Sequence, residues 1–147
     1  MALRDPASKE GAQQRGEPSG EPLSLELRKT FTPEMCDTLF YRSRNYHNDE
    51  AASKELGFKN TVIGGRMTIS CVTELLTRHF GRGFYEGGRL DVKFTNVLWP
   101  NETFTTRGII TGRRVENGRT RADVAVYCEK ADGTKIIVAD ASALEVT

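Results

Sequence analysis

The stretch GGRMTISCVTELLTRHFG, residues 64–81, decides the fold. Within it Met67, Ile69, Cys71, Val72, Leu75, Leu76 and Phe80 spread apolar side chains around much of a helix. A surface helix shows one narrower stripe, so this helix is expected to be substantially buried. Thr68, Thr73, Thr77 and Arg78 are among its more polar positions, and Gly81 and Gly83 close it.

Beyond Gly87 the pattern changes to alternation, the signature of strands with one buried face. Leu90, Val92 and Phe94 alternate with Asp91, Lys93 and Thr95. A long strand over 104–114 ends near Asn117-Gly118, a strong signal for a tight hairpin. Residues 121–129 return with Val124, Val126 and Cys128 on one face, and Asp132-Gly133 turns the chain into a last strand over 136–144. Three or four long strands therefore curl around the one buried helix that precedes them. This is an α+β arrangement, an antiparallel sheet wrapped around a central helix.

Upstream of the helix, Leu23, Leu25 and Leu27 alternate in a short strand running to Phe31. Thr32-Pro33 then opens a helix, with Thr32 as N-cap and Pro33 in the first turn, expected to continue to about Arg44. Asn48 or Asp49 can cap a further short helix over 50–56, which Gly57 ends. From Asp5 to Pro22 the chain is Pro, Gly, Ser, Gln and charge, with almost nothing apolar to bury. Residues 1–22 are expected to form a disordered tail whose removal leaves stability unchanged, and residues 23–147 the single folded domain.

The 147 residues carry a formal net charge of +1, so nothing in the charge balance favours nucleic acid or an anionic membrane surface. No apolar stretch reaches the roughly 20 residues that span a bilayer, and the N-terminus lacks the apolar core of a secretory signal. Cys36, Cys71 and Cys128 are odd in number and scattered, with no CxxC spacing. They read as small buried residues in a reducing compartment, so no metal site is expected and the cytoplasm is the expected location.

Two longer stretches resemble the MaoC-like hydratase/dehydratase family. The first is His47-Asn48-Asp49-Glu50-Ala51-Ala52 through Leu56-Gly57-Phe58, followed by Val62-Ile63-Gly64-Gly65-Arg66-Met67-Thr68. The second runs from Gly88 to Phe94 and on through Val97-Leu98-Trp99-Pro100-Asn101-Glu102-Thr103. The likeness covers about residues 25–144. It implies a hot-dog fold, acyl-coenzyme A or acyl-carrier thioesters as substrates, and addition or removal of water across a Cα–Cβ bond. The thioester carrier would be part of the substrate, and no separate cofactor is implied. A lone hot-dog sheet leaves an edge open, so a twofold homodimer is expected, with its sites between subunits.

Such chemistry needs a base for water, a donor for the enolate oxygen, and a tunnel for the acyl chain. By the resemblance, His47 falls on the family's histidine. Gly65, or its neighbour Arg66, falls on the oxyanion position beside Gly64 at the start of the buried helix. The family's aspartate, five residues before the histidine, is Arg42 here, and the asparagine often found three before it is Arg44. Arginine cannot serve as a base at neutral pH. The second polar role then passes to Asn45 or Asp49, or His47 works alone, or the reaction is not hydration. Asp49 reads equally as a helix cap, and Arg42 and Arg44 either grip an anionic substrate group or are ordinary surface charges.

The leading reading is a hydro-lyase acting on an acyl thioester or related small acid. Three others stay open. The same fold can dehydrate, isomerise or cyclise a non-thioester metabolite. A thioesterase would place a carboxylate on the buried helix, where Glu74 is the only candidate and lies more than two turns in. A non-catalytic acyl-binding subunit would need only the tunnel. His79, late in the helix, reads as structural.

Overall fold

A computed structural model describes residues 17–41 and 43–146. The chain runs β1 (Glu21–Pro22), β2 (Leu27–Thr30), α1 (Pro33–Leu39), α2 (Glu50–Glu55), α3 (Gly65–Phe80), α4 (Arg82–Gly87), β3 (Arg89–Phe94), β4 (Thr103–Glu116), β5 (Arg119–Lys130) and β6 (Lys135–Leu144). All six strands form one antiparallel sheet in the order β1-β4-β5-β6-β3, with β2 also paired to β4. The sheet wraps α3, as expected.

The helix buries Met67, Thr68, Cys71, Val72, Leu75, Leu76 and Phe80, spaced so that successive turns meet the sheet. Leu75, Leu76 and Val72 are fully buried against Val124, Val126, Ile137 and Ala139 of β5 and β6. Each such side chain contributes roughly 1.5–3 kcal/mol by leaving water. Burial is not all-round, however. Arg66, Ser70, Thr77, Arg78 and His79 face solvent and Ile69 is half-buried, so one stripe of α3 is left outside this chain's own core. Gly81 closes α3 with φ of 55°, and the chain at once starts the short α4, which the sequence reading did not include.

Asn117 and Gly118 both take positive φ, 51° and 74°, and turn β4 tightly into β5. This is the two-residue hairpin turn that Asn-Gly favours, because its twist matches that of the strands. A register shift between Ile110 and Gly112 bends β4 and helps the sheet curl. Arg121 is buried where β5, α4 and β6 meet. Its Nη1 donates to the Gly87 carbonyl at 2.8 Å and to Ser142 Oγ at 3.1 Å, and its Nε pairs with Glu116 at 3.0 Å.

Of the expected strand over 23–31 only Leu27–Thr30 forms a strand, β2; the two-residue β1 precedes it at Glu21–Pro22, and both pair with β4. The reading of residues 1–22 as a free tail needs correction over 17–22. Glu21 and Pro22 pair with Ile110 and Ile109, and Arg113 Nη1 meets Glu21 at 3.0 Å. Tyr127 Oη donates to Glu17 at 2.8 Å. Gly20 passes so close to β4 that a Cβ there would collide with the Ile110 carbonyl. Composition missed this because the segment is held by backbone pairing and polar contacts rather than by apolar burial. A chain starting at Leu23 is therefore expected to melt several degrees below the full-length protein, measured by circular dichroism.

Candidate active site

His47 lies in the segment between α1 and α2, and two asparagines build that segment. Asn45 Oδ1 accepts the His47 backbone N–H at 2.9 Å, while Asn45 Nδ2 donates to the Ser43 carbonyl at 2.8 Å. Asn48 Oδ1 accepts the Asn45 N–H at 2.9 Å, and its Nδ2 reaches the Phe40 and Ser43 carbonyls at 2.6 and 2.8 Å. Short amide side chains that bond nearby backbone compete with helical bonding. That competition explains why α1 stops at Leu39 instead of continuing to about Arg44.

The imidazole is held on three sides. It stacks on Phe40 with ring centroids 4.4 Å apart at 27°, and Tyr46 lies 4.0 Å away at 42°. Its Nδ1 sits 2.7 Å from the Val62 carbonyl oxygen. A carbonyl can only accept, so Nδ1 carries a proton, and in the neutral ring Nε2 keeps the free lone pair. The ring is thereby fixed in one tautomer, with Nε2 as its basic nitrogen.

His47 shares a pocket of about 510 Å³ with Gly65, the first residue of α3. Such a volume lies within the roughly 300–1,000 Å³ usual for small-molecule sites. Tyr46, Phe58, Val62, Ile63, Leu98 and Ile136 make most of the apolar wall, and the exposed Phe94, Thr95 and Asn96 lie at its rim. Thr68, buried, donates from Oγ1 to the Gly65 carbonyl at 3.1 Å. No acidic residue is among the described residues that line the pocket. Behind the wall, Trp99 meets Phe58 edge-on at 6.4 Å and carries Lys59 Nζ over its ring at 4.8 Å.

The N–H groups in the first turn of a helix lack intrahelical acceptors, and the positive end of the helix dipole lies there. At α3 no acidic side chain in the first turn spends this potential, and Arg78 and His79 complement the other end. Aromatic rings approach both starting positions closely. A Cβ on Gly64 would run into the Phe40 ring, and one on Gly65 would stand 2.8 Å from the ring of Phe94.

The other nominated residues are placed elsewhere. Asn45 spends its side chain on the loop backbone and holds His47 in position. Asp49 caps α2, accepting the Ala52 N–H at 2.7 Å, and its carboxylate pairs with Arg44 at 3.2 Å. The Ala52 N–H holds the Asp49 carboxyl below its ordinary range, and Arg44 adds to this. Arg44 also pairs with Glu55 at 3.1 Å, so its guanidinium is engaged by carboxylates rather than aimed into the pocket. Asp49→Asn, which keeps the capping oxygen, is accordingly expected to leave turnover nearly unchanged in a steady-state assay. Arg66 is exposed with its guanidinium 5.3 Å from the Phe40 ring. Arg42 lies outside the described residues.

Glu74 pairs with Lys29 and Arg78, and the Lys29 contact holds its carboxyl below the ordinary range; it is not on the pocket wall. His79 is exposed, edge-on to Phe80 at 4.6 Å. The three thiols are free and buried, and burial pushes Cys128 up to about 12 and raises Cys36 and Cys71, which suppresses the reactive thiolate. Among the described residues no cluster of three or more His, Cys, Asp or Glu could hold a metal, and no helix is long and apolar enough to cross a membrane. Tyr46, Phe58, Thr68 and Asn96 were not singled out as pocket residues from the sequence, because they become neighbours only when the sheet closes on α3.

Comparison with known proteins agrees with the fold. A MaoC-like dehydratase from Rhodospirillum rubrum superposes with a TM-score of 0.70 at 13% identity, over 86% of this chain and 90% of that one. The (R)-hydratase from A. caviae involved in PHA biosynthesis gives 0.68 at 16% identity, over 91% and 99%. A C-terminally truncated (3R)-hydroxyacyl-ACP dehydratase complex from Mycobacterium tuberculosis gives 0.61 at 14% identity, over 86% and 97%. No curated protein matches the sequence. At these identities the structures speak for a shared hot-dog fold, whereas the model of the MaoC like domain matches the sequence itself over residues 16–133. With most of its length matched, this chain belongs to the MaoC-like domain family.

Proposed function

We propose that this protein is a hydro-lyase that adds or removes water across the Cα–Cβ bond of an acyl thioester. The observation that carries the reading is the pairing, in one apolar pocket, of a tautomer-fixed His47 with the glycine-lined start of α3. In the hydration direction His47 Nε2 takes a proton from water as the water oxygen bonds to Cβ. The π electrons move through Cα to the thioester oxygen, forming an enolate, and a first-turn N–H at Gly65 or Arg66 donates to that oxygen. The imidazolium then returns the proton to Cα as the enolate collapses to the saturated thioester. One imidazole serves as base and acid in turn, so this route needs no carboxylate beside it.

Coenzyme A or an acyl carrier supplies the thioester as part of the substrate, and no other cofactor enters. The three buried free thiols suit the reducing cytoplasm. Incubation with a short trans-2-enoyl-coenzyme A tests the assignment. Loss of the conjugated-thioester absorbance, with the 3-hydroxyacyl product seen by mass spectrometry, is the expected result. Failure on a panel of enoyl-coenzyme A and enoyl-carrier substrates would defeat it.

The pocket lining, with no acidic side chain among its described residues, favours a second reading of the same site. An acyl-binding subunit would keep the apolar wall and the helix start and perform no turnover. Saturable binding of an acyl thioester without conversion separates it from the first.

A further inference from the structure

Phe40 is not among the described residues that line the pocket, yet its ring meets both groups assigned to the chemistry. The imidazole of His47 stacks on it with centroids 4.4 Å apart. Its outer carbons, Cζ and Cε2, approach Gly64 at the start of α3 so closely that a Cβ there would collide with them. The Arg66 guanidinium lies 5.3 Å from the ring centroid and ties the ring to the first turn of the helix.

The backbone of Phe40 is anchored as well. It follows Cys36 by one helical turn and donates its N–H to the Cys36 carbonyl at 2.8 Å. Cys36 is fully buried, with Sγ 3.6 Å from Met67 Sδ in the first turn of α3. The Phe40 carbonyl accepts from Asn48 Nδ2 at 2.6 Å, and Asn48 Oδ1 in turn holds the Asn45 N–H at 2.9 Å. The end of α1, the His47 loop and the start of α3 therefore converge on one side chain.

From these contacts we propose that Phe40 is a positioning residue that sets the spacing between the His47 base and the first-turn N–H groups of α3. The inference rests on the hydro-lyase reading above. That reaction needs Nε2 at the water and a donor at the enolate oxygen together, and the two groups belong to different elements. The face of the Phe40 ring holds the imidazole while its far edge abuts the helix start. A leucine ends at its δ carbons and cannot do both. Misplacing a reacting group by about 1 Å can cost on the order of 10² in rate. A spacer that does not touch the substrate acts on kcat, because the apolar wall that binds the acyl group is left as it was.

Phe40→Leu and Gly64→Ala, alone and combined in the full-length chain, test the spacer. Leucine keeps an apolar side chain but lacks the ε and ζ carbons that meet Gly64. Gly64 has φ of −66° and ψ of 136°, which alanine adopts freely, and the atoms nearest its added methyl are all Phe40 ring carbons. Steady-state kinetics on an enoyl-coenzyme A are read beside circular dichroism melts. Each single variant is expected to lower kcat about tenfold or more, with the Michaelis constant changed by less than about twofold. Gly64→Ala should cost no more than about twofold further in the Phe40→Leu background, because the collision is gone. A role in filling space alone would lower the melting temperature and leave kcat of the folded protein unchanged. Parent-like kcat in Gly64→Ala, equal costs for Gly64→Ala in both backgrounds, or a loss carried by the Michaelis constant overturns the proposal. Where Phe40→Leu fails to fold, Gly64→Ala decides by itself, since it keeps the ring. A parent chain inactive on every enoyl thioester overturns the hydro-lyase reading and the spacer with it, whereas an active parent with unaffected variants overturns the spacer only.

Discussion

His47→Ala is expected to lower turnover on an α,β-unsaturated thioester by about 10²-fold or more, the scale of losing a general base. The reason is specific to the ring's surroundings. Val62 occupies Nδ1, so Nε2 is the nitrogen left to receive the water proton, and alanine supplies nothing there. The loss should fall on kcat, with the Michaelis constant little changed, because the apolar wall that holds the acyl group is left in place. Stability will not be untouched, since the ring packs between Phe40 and Tyr46. Circular dichroism melts run beside the steady-state assay separate the two effects. A variant that melts close to the parent and still turns over at full rate would remove His47 from the chemistry and with it the hydration mechanism.

Leu75→Ala is expected to produce the largest loss of stability among single truncations in α3. The side chain is fully buried where the helix meets the sheet. Removing it costs the transfer of the deleted atoms and leaves a cavity that rigid β-sheet cannot collapse to fill, together about 2–5 kcal/mol. For a chain of this size that lowers the melting temperature on the order of 10 °C. Thr77→Ala, on the exposed stripe of the same helix, should shift the midpoint little. Equal losses for the two would mean that α3 is not the centre of the core.

Much of the fold was legible because each element follows from local pattern. Period-2 alternation marked β3 and β5, the Asn117-Gly118 and Asp132-Gly133 turns bounded β4 and β6, and apolar density marked α3 as the buried helix. Where expectation and structure part, nonlocal or polar contacts decided. The side chains of Asn45 and Asn48 ended α1 early, and β4 recruited residues 21–22 although they offer little to bury.

The candidate site divides in the same way. The sequence by itself determined the α+β class, the order of the main elements and the family resemblance, and it nominated His47 and Gly65 as candidates for the chemistry. Those depend on residue type and spacing, which a chain carries before it folds. Tertiary structure alone decided that these two share a pocket, that Val62 selects the imidazole tautomer, and that Asp49 and Arg44 satisfy each other beside α2. It also decided that Phe58, Leu98 and Ile136, from three separate parts of the chain, form one wall. The physical reason is that charge pairing, ring orientation and pocket shape depend on distances across the fold, and those are fixed only when the sheet closes around α3.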